Sequence, residues 1–291
     1  MSEALAFEAH RGRLTGLAYR MLGSRADAED TVQDAFLRWS QTRERHAIDN
    51  EEAFLVRVVT RLCLDRLKSA KAKREIYVGP WLPEPVADSD ALSPHTQAEL
   101  ADDLSFALLL ALDRLSPAER AAFLLHDVFD APFSEIAATL EKSEAACRQL
   151  AARARKAVRE ARPAPPAPAE AHTRLLAAFM HAVNSGDVQG LAALLRADAI
   201  ALTDGGGAKI AALNPIQGAD KIARFYISLV RKQRDAGIET RVECAAVNGA
   251  AGLLVYIGGA LDQTITIAPD GERIAAIYSV RNPEKLAAVS R

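Results

Sequence analysis

Residues 133–155 read FSEIAATLEKSEAACRQLAARAR and say more about the architecture than any other segment of the chain. Apolar residues recur at helical spacing on both sides of Glu141-Lys142-Ser143, and Ser143 can cap the second helix. Two short helices joined by such a turn form a helix-turn-helix, whose second helix enters a DNA major groove. Arginine pairs with guanine there and glutamine with adenine. We therefore expect DNA contacts from Ser143, Glu144, Ala145, Arg148, Gln149 and Arg153.

An ordinary helical hairpin with a solvated basic face is the alternative interpretation of the same segment. The charge distribution favours DNA, although the formal net charge of the chain is -2. Seven cations and one acid lie between Arg57 and Arg74, and seven cations and two acids lie between Lys142 and Arg162. The intervening stretch from Glu84 to Asp103 has six acids and no Lys or Arg. Two basic surfaces separated by an acidic segment indicate two contacts with a polyanion.

Length and composition exclude several classes of protein. The 291 residues suggest about two domains, and 49% hydrophobic residues exclude a largely disordered chain. No apolar run approaches the roughly 18 residues of a membrane span, and the N-terminus lacks an export signal. Cys63, Cys147 and Cys244 are far apart and fit reduced thiols. We expect a cytoplasmic protein with no metal site, no cofactor and no membrane partner.

Two proline-rich segments divide the chain. YVGPWLPEP at 77–85 excludes regular helix, and its Trp81 and Leu82 are costly to leave in water, so we expect this segment to pack on another part of the protein. RPAPPAP at 162–168 is a stiff, extended spacer. The predicted divisions are a helical domain at 1–75, a linker at 76–97, a second helical domain at 98–162, a linker at 163–169 and a C-terminal domain at 170–291.

The C-terminal domain has a different pattern from the helical domains. Helices are predicted near 171–184, 187–196 and 219–234, and Asn248-Gly249 and Pro269-Asp270-Gly271 are hairpin signals. Strands are predicted at Ala199–Thr203, Glu239–Val247, Gly252–Gly258, Gln263–Ala268 and Arg273–Val280. Helices followed by a meandering antiparallel sheet make an α+β domain.

The order of these pieces resembles the extracytoplasmic-function sigma factors of bacterial RNA polymerase, which belong to the sigma-70 family. AEDTVQDAFLRW at 28–39 is similar to the region 2 helix that grips the polymerase clamp. Residues 52–65 are similar to the helix that follows the loop capturing the promoter (−10) element. Residues 133–155 are similar to region 4.2, which reads the (−35) element. The resemblance implies all-α regions 2 and 4, with core RNA polymerase (clamp helices and flap) and promoter DNA as partners.

The resemblance also assigns residues to these partners. In region 2 it places polymerase contacts at Asp30, Gln33, Asp34, Phe36, Leu37 and Trp39. The basic helix that contains Arg57–Arg74, together with the loop before it, faces the DNA phosphates. The DNA contacts expected from these two segments are Asn50, Arg57, Arg61, Arg66 and Lys68. We expect Asp65, the acid within this helix, to pair with Lys68 one turn away.

The rest of the chain resembles the subgroup of these sigma factors that has a fused C-terminal SnoaL-like domain. The fold that this resemblance implies is an α+β, ketosteroid-isomerase-like cone with a curved antiparallel sheet. YVGPWLPEP resembles that group's linker motif, whereas DGGG at 204–207 and NPEKL at 282–286 resemble its C-terminal signatures. Ala208 before Lys209 and Glu284 in place of Asp depart from the pattern. The implied regulatory contacts are Trp81, Leu82, Pro83, Asp204, Gly205, Gly206, Gly207, Asn282, Pro283, Glu284, Lys285 and Leu286.

This resemblance implies that the C-terminal domain regulates the sigma regions in cis, with no obligatory separate anti-sigma protein. We expect that a small ligand in the pocket of this domain is one signal that releases the sigma regions. A one-component helix-turn-helix regulator with a ligand-sensing C-domain is the alternative, although such a protein needs no polymerase-binding helix at 28–39. An isomerase or cyclase is the third class. We expect no catalytic residues, because His172 and His181 precede the sheet and no pattern links Asp204, Tyr226 and Asp262 into a dyad.

Overall fold

The computed structural model of the protein describes residues 3–41, 48, 50–75, 77–87, 104–161, 168–287 and 289. No helix among these residues is long and apolar enough to cross a membrane. The chain forms two compact units. Among the described residues, the first unit comprises those within 3–75 and 108–161, and the second comprises those within 77–87, 104–107 and 168–289. The described part of the predicted 76–97 linker thus belongs to the same unit as the C-terminal domain.

Three long helices begin the first unit: α1 (Glu3–Leu22), α2 (Arg25–Gln41) and α3 (Glu51–Glu75). Gly23 separates α1 from α2 with a left-handed φ of 72°, and the Ser24 hydroxyl accepts a hydrogen bond from the Asp27 N–H at 3.2 Å. Ser24 is therefore the N-cap of α2. The buried side chains between these helices include Leu14, Leu17, Val32, Leu55 and Val59.

Four shorter helices and one π-helical turn follow. They are α4 (Phe106–Asp113), α5 (Pro117–Phe123), the π turn Leu124–Val128, α6 (Phe133–Leu140) and α7 (Glu144–Ala161). Ser116 and Glu119 form a reciprocal capping box at the start of α5. Helices α6 and α7 are the predicted helix-turn-helix. They pack around Ile136 and Cys147, which are inaccessible to solvent, and Leu150.

From residue 168 onward, the described residues of the second unit form four helices and six strands. The helices are α8 (Ala169–Ser185), α9 (Val188–Leu194), α10 (Ala219–Asp235) and α11 (Pro283–Leu286). The strands are β1 (Leu195–Asp204), β2 (Ile216–Gln217), β3 (Thr240–Val247), β4 (Ala250–Ile257), β5 (Ala260–Asp270) and β6 (Arg273–Val280). Helix α11 and the two-residue strand β2 are too short to be found from periodicity.

The six strands form one sheet in the order β2-β1-β6-β5-β4-β3. Strands β3 to β6 make the antiparallel meander that the sequence predicts. Strand β1 departs from that prediction, because it pairs in parallel with β6 after a long crossover that includes α10. One face of the sheet packs against α8, α9 and α10, with a core that includes Leu191, Leu253, Ile265 and Ile277.

The segments at 77–87 and 104–106 pack on the same unit. Phe106 stacks on Tyr278 of β6 with ring centroids 5.7 Å apart. Because side chains alternate across a strand, Tyr278 and the core residue Ile277 point to opposite faces of the sheet. Ala87 forms an antiparallel bridge with Val247 at the edge of β3. Leu82 is fully buried, as expected for an apolar residue in this segment.

Candidate functional sites

The outward face of α7 has the predicted DNA-reading residues on its surface. Ser143, Glu144, Ala145, Arg148, Gln149 and Arg153 are all exposed. The turn before them is set by Glu141, which adopts a left-handed φ of 55°, and by Ser143, whose hydroxyl accepts a hydrogen bond from the Ala146 N–H at 3.2 Å. The helix therefore presents its N-terminal turns to solvent, as a recognition helix does.

Arg148 is held in place by two neighbours. Its Nη2 donates to Glu144 Oε2 at 2.6 Å, and its guanidinium lies over the Phe133 ring, 5.3 Å from the centroid. The ring favours a guanidinium that lies over its face, because the cation–π attraction is directed there. Arg153 donates to Glu119 Oε1 at 2.9 Å, across the first unit from α7 to α5. Arg148 thus has a defined orientation before any ligand is present.

The predicted DNA-binding residues of α3 have several different roles in this conformation. Arg61 donates to the carbonyl oxygens of Ala138 (3.0 Å) and Thr139 (3.3 Å) and pairs with Glu141 (3.0 Å), so it caps the C-terminus of α6. Arg57 is half-buried. Region 2 and the helix-turn-helix are therefore in direct contact within the first unit.

The remaining α3 candidates have local partners. Arg66 donates to Asp34 Oδ2 at 2.8 Å, and Lys68 pairs with Asp65 at 2.8 Å, as predicted from their spacing. Asn50 accepts a hydrogen bond from the Ala53 N–H at 3.0 Å and is the N-cap of α3. The basic loop at 43–47 that precedes it lies outside the described residues.

The predicted polymerase-binding residues of α2 are divided between surface and core. Asp30, Gln33 and Leu37 are exposed at helical spacing, and half of the Leu37 surface is in solvent. Phe36 packs edge-on against Phe7 with centroids 5.0 Å apart. Trp39 is a correction to the predicted surface: it is only 2% exposed, because its indole packs in the core.

A cluster that we call the Asp204 clamp holds residues 77–82 on the second unit. Its members are Tyr77, Leu82, Asp204, Asn282 and Lys285. Asp204 Oδ1 accepts from the Tyr77 hydroxyl (2.6 Å), and Oδ2 accepts from the Leu82 N–H (2.8 Å) and Lys285 Nζ (2.6 Å). Lys285 Nζ also donates to the Leu82 carbonyl at 2.5 Å. Asn282 Nδ2 donates to the Tyr77 oxygen at 2.9 Å.

The groups around the Asp204 clamp keep the Tyr77 phenol protonated and place aromatic rings against the Lys285 ammonium. Burial, together with donation to Asp204, raises the pKa of Tyr77, so this phenol stays protonated as a donor. Lys285 Nζ lies 4.5 Å from the Trp81 ring centroid and 4.9 Å from the Tyr77 centroid, so the ammonium is in contact with two aromatic rings. Gly206, with φ 61°, leaves room for Asn282: a Cβ there would lie 2.3 Å from Asn282 Nδ2.

The clamp includes four of the twelve predicted regulatory residues: Leu82, Asp204, Asn282 and Lys285. Pro83 is buried next to Leu82, and Leu286, the last residue of α11, is also buried, whereas Pro283 and Glu284 are exposed. Tyr77 is a contact residue that the sequence does not predict, although it lies in the YVGPWLPEP motif. The same holds for Asn248, which accepts from the Val86 N–H and donates to the Leu104 carbonyl, both at 3.0 Å. The sequence predicts only a hairpin turn at Asn248-Gly249 and no contact with residues 86 and 104.

Three of the polar residues considered for catalysis, Asp262, Tyr226 and His172, have hydrogen-bond partners within the α+β domain. Asp262 accepts from Lys209 (2.9 Å) and Arg281 (2.8 Å); burial opposes ionisation, but these hydrogen bonds outweigh it and lower the pKa of Asp262. The Tyr226 hydroxyl bonds to Ser279 at 2.9 Å. His172 donates from Nε2 to the Ala251 carbonyl at 3.0 Å. In the described part of the chain, no three His, Cys, Asp or Glu side chains are grouped to hold a metal ion.

Comparison with known families defines the class of protein. Residues 6–73 match the model of sigma-70 region 2, and residues 105–158 match that of sigma-70 region 4. The second match contains the helix-turn-helix, and the first contains α2 and nearly all of α3. Regions 2 and 4 in this order define a sigma-70-type transcription initiation factor, and they imply core RNA polymerase and promoter DNA as partners.

Similarity along the whole chain identifies the family. The ECF RNA polymerase sigma factor SigJ of Mycobacterium tuberculosis is 40% identical over 97% of this chain and 93% of its own length. The probable ECF sigma factor SigI of the same species is 32% identical over the same shares. The SigJ crystal structure superposes with a TM-score of 0.78, covering 98% of this chain and 99% of that one at 36% identity. The chain belongs to the extracytoplasmic-function sigma factors.

Membership of this family decides between a sigma factor and a one-component regulator. The protein is an alternative sigma factor, with helical regions 2 and 4 followed by an α+β domain that the similarity to SigJ also covers. A one-component regulator would need no region 2, whereas this chain matches region 2 over nearly its whole N-terminal domain.

Proposed function

We propose that the α+β domain of this sigma factor regulates regions 2 and 4 in cis by holding the segment 77–87. The Asp204 clamp is the observation that carries this proposal, because it engages the segment through both backbone groups of Leu82. The segment directly follows α3 of region 2 and precedes region 4 in the chain. Holding it therefore restricts the arrangements that the two regions can adopt.

The contact needs little intrinsic affinity. The segment and the domain belong to one chain, so their effective concentration is on the order of millimolar, and a weak interface stays closed. A regulator connected in this way takes the place of a separate anti-sigma protein. Release of the clamp, with a small ligand in the domain as one signal, would let regions 2 and 4 separate to engage polymerase and promoter DNA.

The contacts predicted from the family resemblance belong to this proposal. Polymerase binds the exposed residues Asp30, Gln33 and Leu37 of α2, promoter DNA binds the outward face of α7, and the α3 cations take part once regions 2 and 4 have separated. The α+β domain acts as a binding module and not as an enzyme. Its buried carboxylates Asp204 and Asp262 already hold cationic partners, which leaves neither as a base.

Run-off transcription with core polymerase tests the proposal. We compare the full chain with Asp204→Asn, which opens the clamp while keeping the domain. Asp198→Asn is the matched control, because Asp198 pairs with Arg196 on the surface of the same strand. The clamp variant is expected to initiate several-fold more transcripts than the control. Equal initiation from the two variants, or less from Asp204→Asn, would contradict inhibition through the clamp.

A further inference from the structure

Helix α10 of the α+β domain carries a concentration of positive charge that the sigma regions do not explain. Five cations and no acids lie between Lys221 and Arg234, whereas the chain as a whole has 36 Lys and Arg against 38 Asp and Glu. The acids of this helix, Asp220 and Asp235, stand at its two ends. The local excess is therefore a property of this helix and not of the composition.

Four of the cations share one face, which we call the α10 basic face: Lys221, Arg224, Arg231 and Lys232. All four are exposed, and their spacing places them on one side of the helix. The opposite side packs in the core of the domain through Ile222, Ala223 and Tyr226. At a rise of 1.5 Å per residue, the face is about 15 Å long.

Most of this charge is not neutralised within the protein. Arg224 pairs with Asp220 at 2.8 Å. The side chains of Lys221, Arg231 and Lys232 make no hydrogen bond or ion pair with any described residue. Neighbouring like charges destabilise a helix. A row of cations on a surface helix, in which only Arg224 has an acidic partner among the described residues, is expected where an external anion supplies the opposite charge.

We propose that the α10 basic face binds the phosphate backbone of duplex DNA, without sequence preference, when this sigma factor is on its promoter. Duplex DNA carries about one negative charge per 1.7 Å, so a 15 Å face spans roughly nine phosphates. The chain already binds promoter DNA through its sigma regions, so this added contact forms at high effective concentration. The proposal rests on the sigma function and not on regulation in cis.

Two features favour DNA over other anionic partners. The large exposed apolar residues of the described chain lie outside α10, whereas a protein interface needs an apolar or aromatic centre. The apolar side of α10 is buried in its own domain, so the helix has nothing to insert into a lipid surface. What remains is the chemistry of phosphate binding, which requires only exposed Lys and Arg.

The salt dependence of DNA binding tests the proposal. We combine Lys221→Gln, Arg231→Gln and Lys232→Gln in the full chain, assemble the holoenzyme, and measure its affinity for a mixed-sequence duplex over a series of salt concentrations. Each phosphate contact contributes about 0.9 to the slope of log affinity against log salt. The slope is therefore expected to fall by up to about 3, and the affinity is expected to fall most at low salt.

A matched control changes the same charge at dispersed positions. Arg174→Gln, Arg241→Gln and Arg273→Gln remove three exposed cations elsewhere in the same domain and are expected to leave the slope unchanged. A charge-conserving variant, Lys221→Arg with Arg231→Lys and Lys232→Arg, is expected to keep the native slope, which separates charge from folding. Equal slopes for the α10 variant and the native chain would overturn the proposal. So would a variant that loses affinity for core polymerase without DNA.

Discussion

Asp204 and Lys285 are 81 positions apart in the chain and form an ion pair of 2.6 Å around the backbone of Leu82. The carboxylate accepts the Leu82 N–H, and the ammonium donates to the Leu82 carbonyl. One ion pair thus satisfies both backbone groups of a buried residue, as two neighbouring strands would in a sheet. The contact recognises backbone, so it depends on the course of the segment as well as on its side chains.

Asp204→Asn is expected to release residues 77–87 from the domain. The substitution leaves the largely buried Lys285 without its counter-ion, which costs about 3 kcal/mol. Amide hydrogen exchange at Leu82 and Val86 should therefore accelerate by roughly a hundredfold. Asp198→Asn removes a surface ion pair and should change these rates by less than about fivefold. Unchanged exchange at Leu82 in Asp204→Asn would show that the ion pair does not hold the segment.

Arg61→Ala is expected to loosen the contact between region 2 and the helix-turn-helix. Arg61 donates to two carbonyl oxygens at the end of α6, and their loss costs about 1 kcal/mol. Hydrogen exchange in α6 should accelerate by about fivefold. Glu141→Gln is the comparison, because it removes only the exposed ion pair and should have little effect. Equal acceleration in both variants would assign the contact to the ion pair instead.

Phe133→Leu is expected to weaken promoter recognition without touching DNA directly. The substitution keeps an apolar side chain but removes the ring under Arg148, a cation–π contact worth about 0.5–1 kcal/mol. Promoter affinity should fall by roughly two- to fivefold, and discrimination should fall at the same base pair that Arg148→Ala affects. Phe129→Leu is the control, because its ring lies under Arg13 and the ring under Arg148 is that of Phe133. A base-pair profile that differs from that of Arg148→Ala would refute the positioning role.

The stability of the α+β domain is expected to fall in mild acid because of His172. Burial lowers the pKa of His172, although its hydrogen bond to the Ala251 carbonyl acts in the opposite direction. The folded state therefore binds fewer protons than the unfolded state. The stabilisation is complete above the unfolded pKa of about 6.5 and is lost as pH falls through the folded pKa, at up to about 1.4 kcal/mol per pH unit.

Urea unfolding between neutral pH and mild acid measures this effect. His172→Gln should remove the part of the pH dependence that arises in this range. His181→Gln lies on the exposed face of the same helix and should leave that dependence in place. An identical pH dependence in the native chain and in His172→Gln would show that the histidine is not its source.

The sequence by itself determined the local structure of this protein. The two helices of the helix-turn-helix at 133–155 and the outward position of Arg148 follow from neighbours within a few residues, and the structure has them as predicted. The meander of β3 to β6 follows for the same reason, since hairpin turns join strands that are adjacent in the chain.

Only the tertiary structure decided which distant residues meet. The parallel pairing of β1 with β6, the capping of α6 by Arg61 and the burial of Trp39 all join parts of the chain that no spacing rule connects. The Asp204 clamp lies between these extremes: its motifs were visible in the sequence, but its ion pair was not. Such contacts form because packing brings buried polar groups together and each must then find a partner.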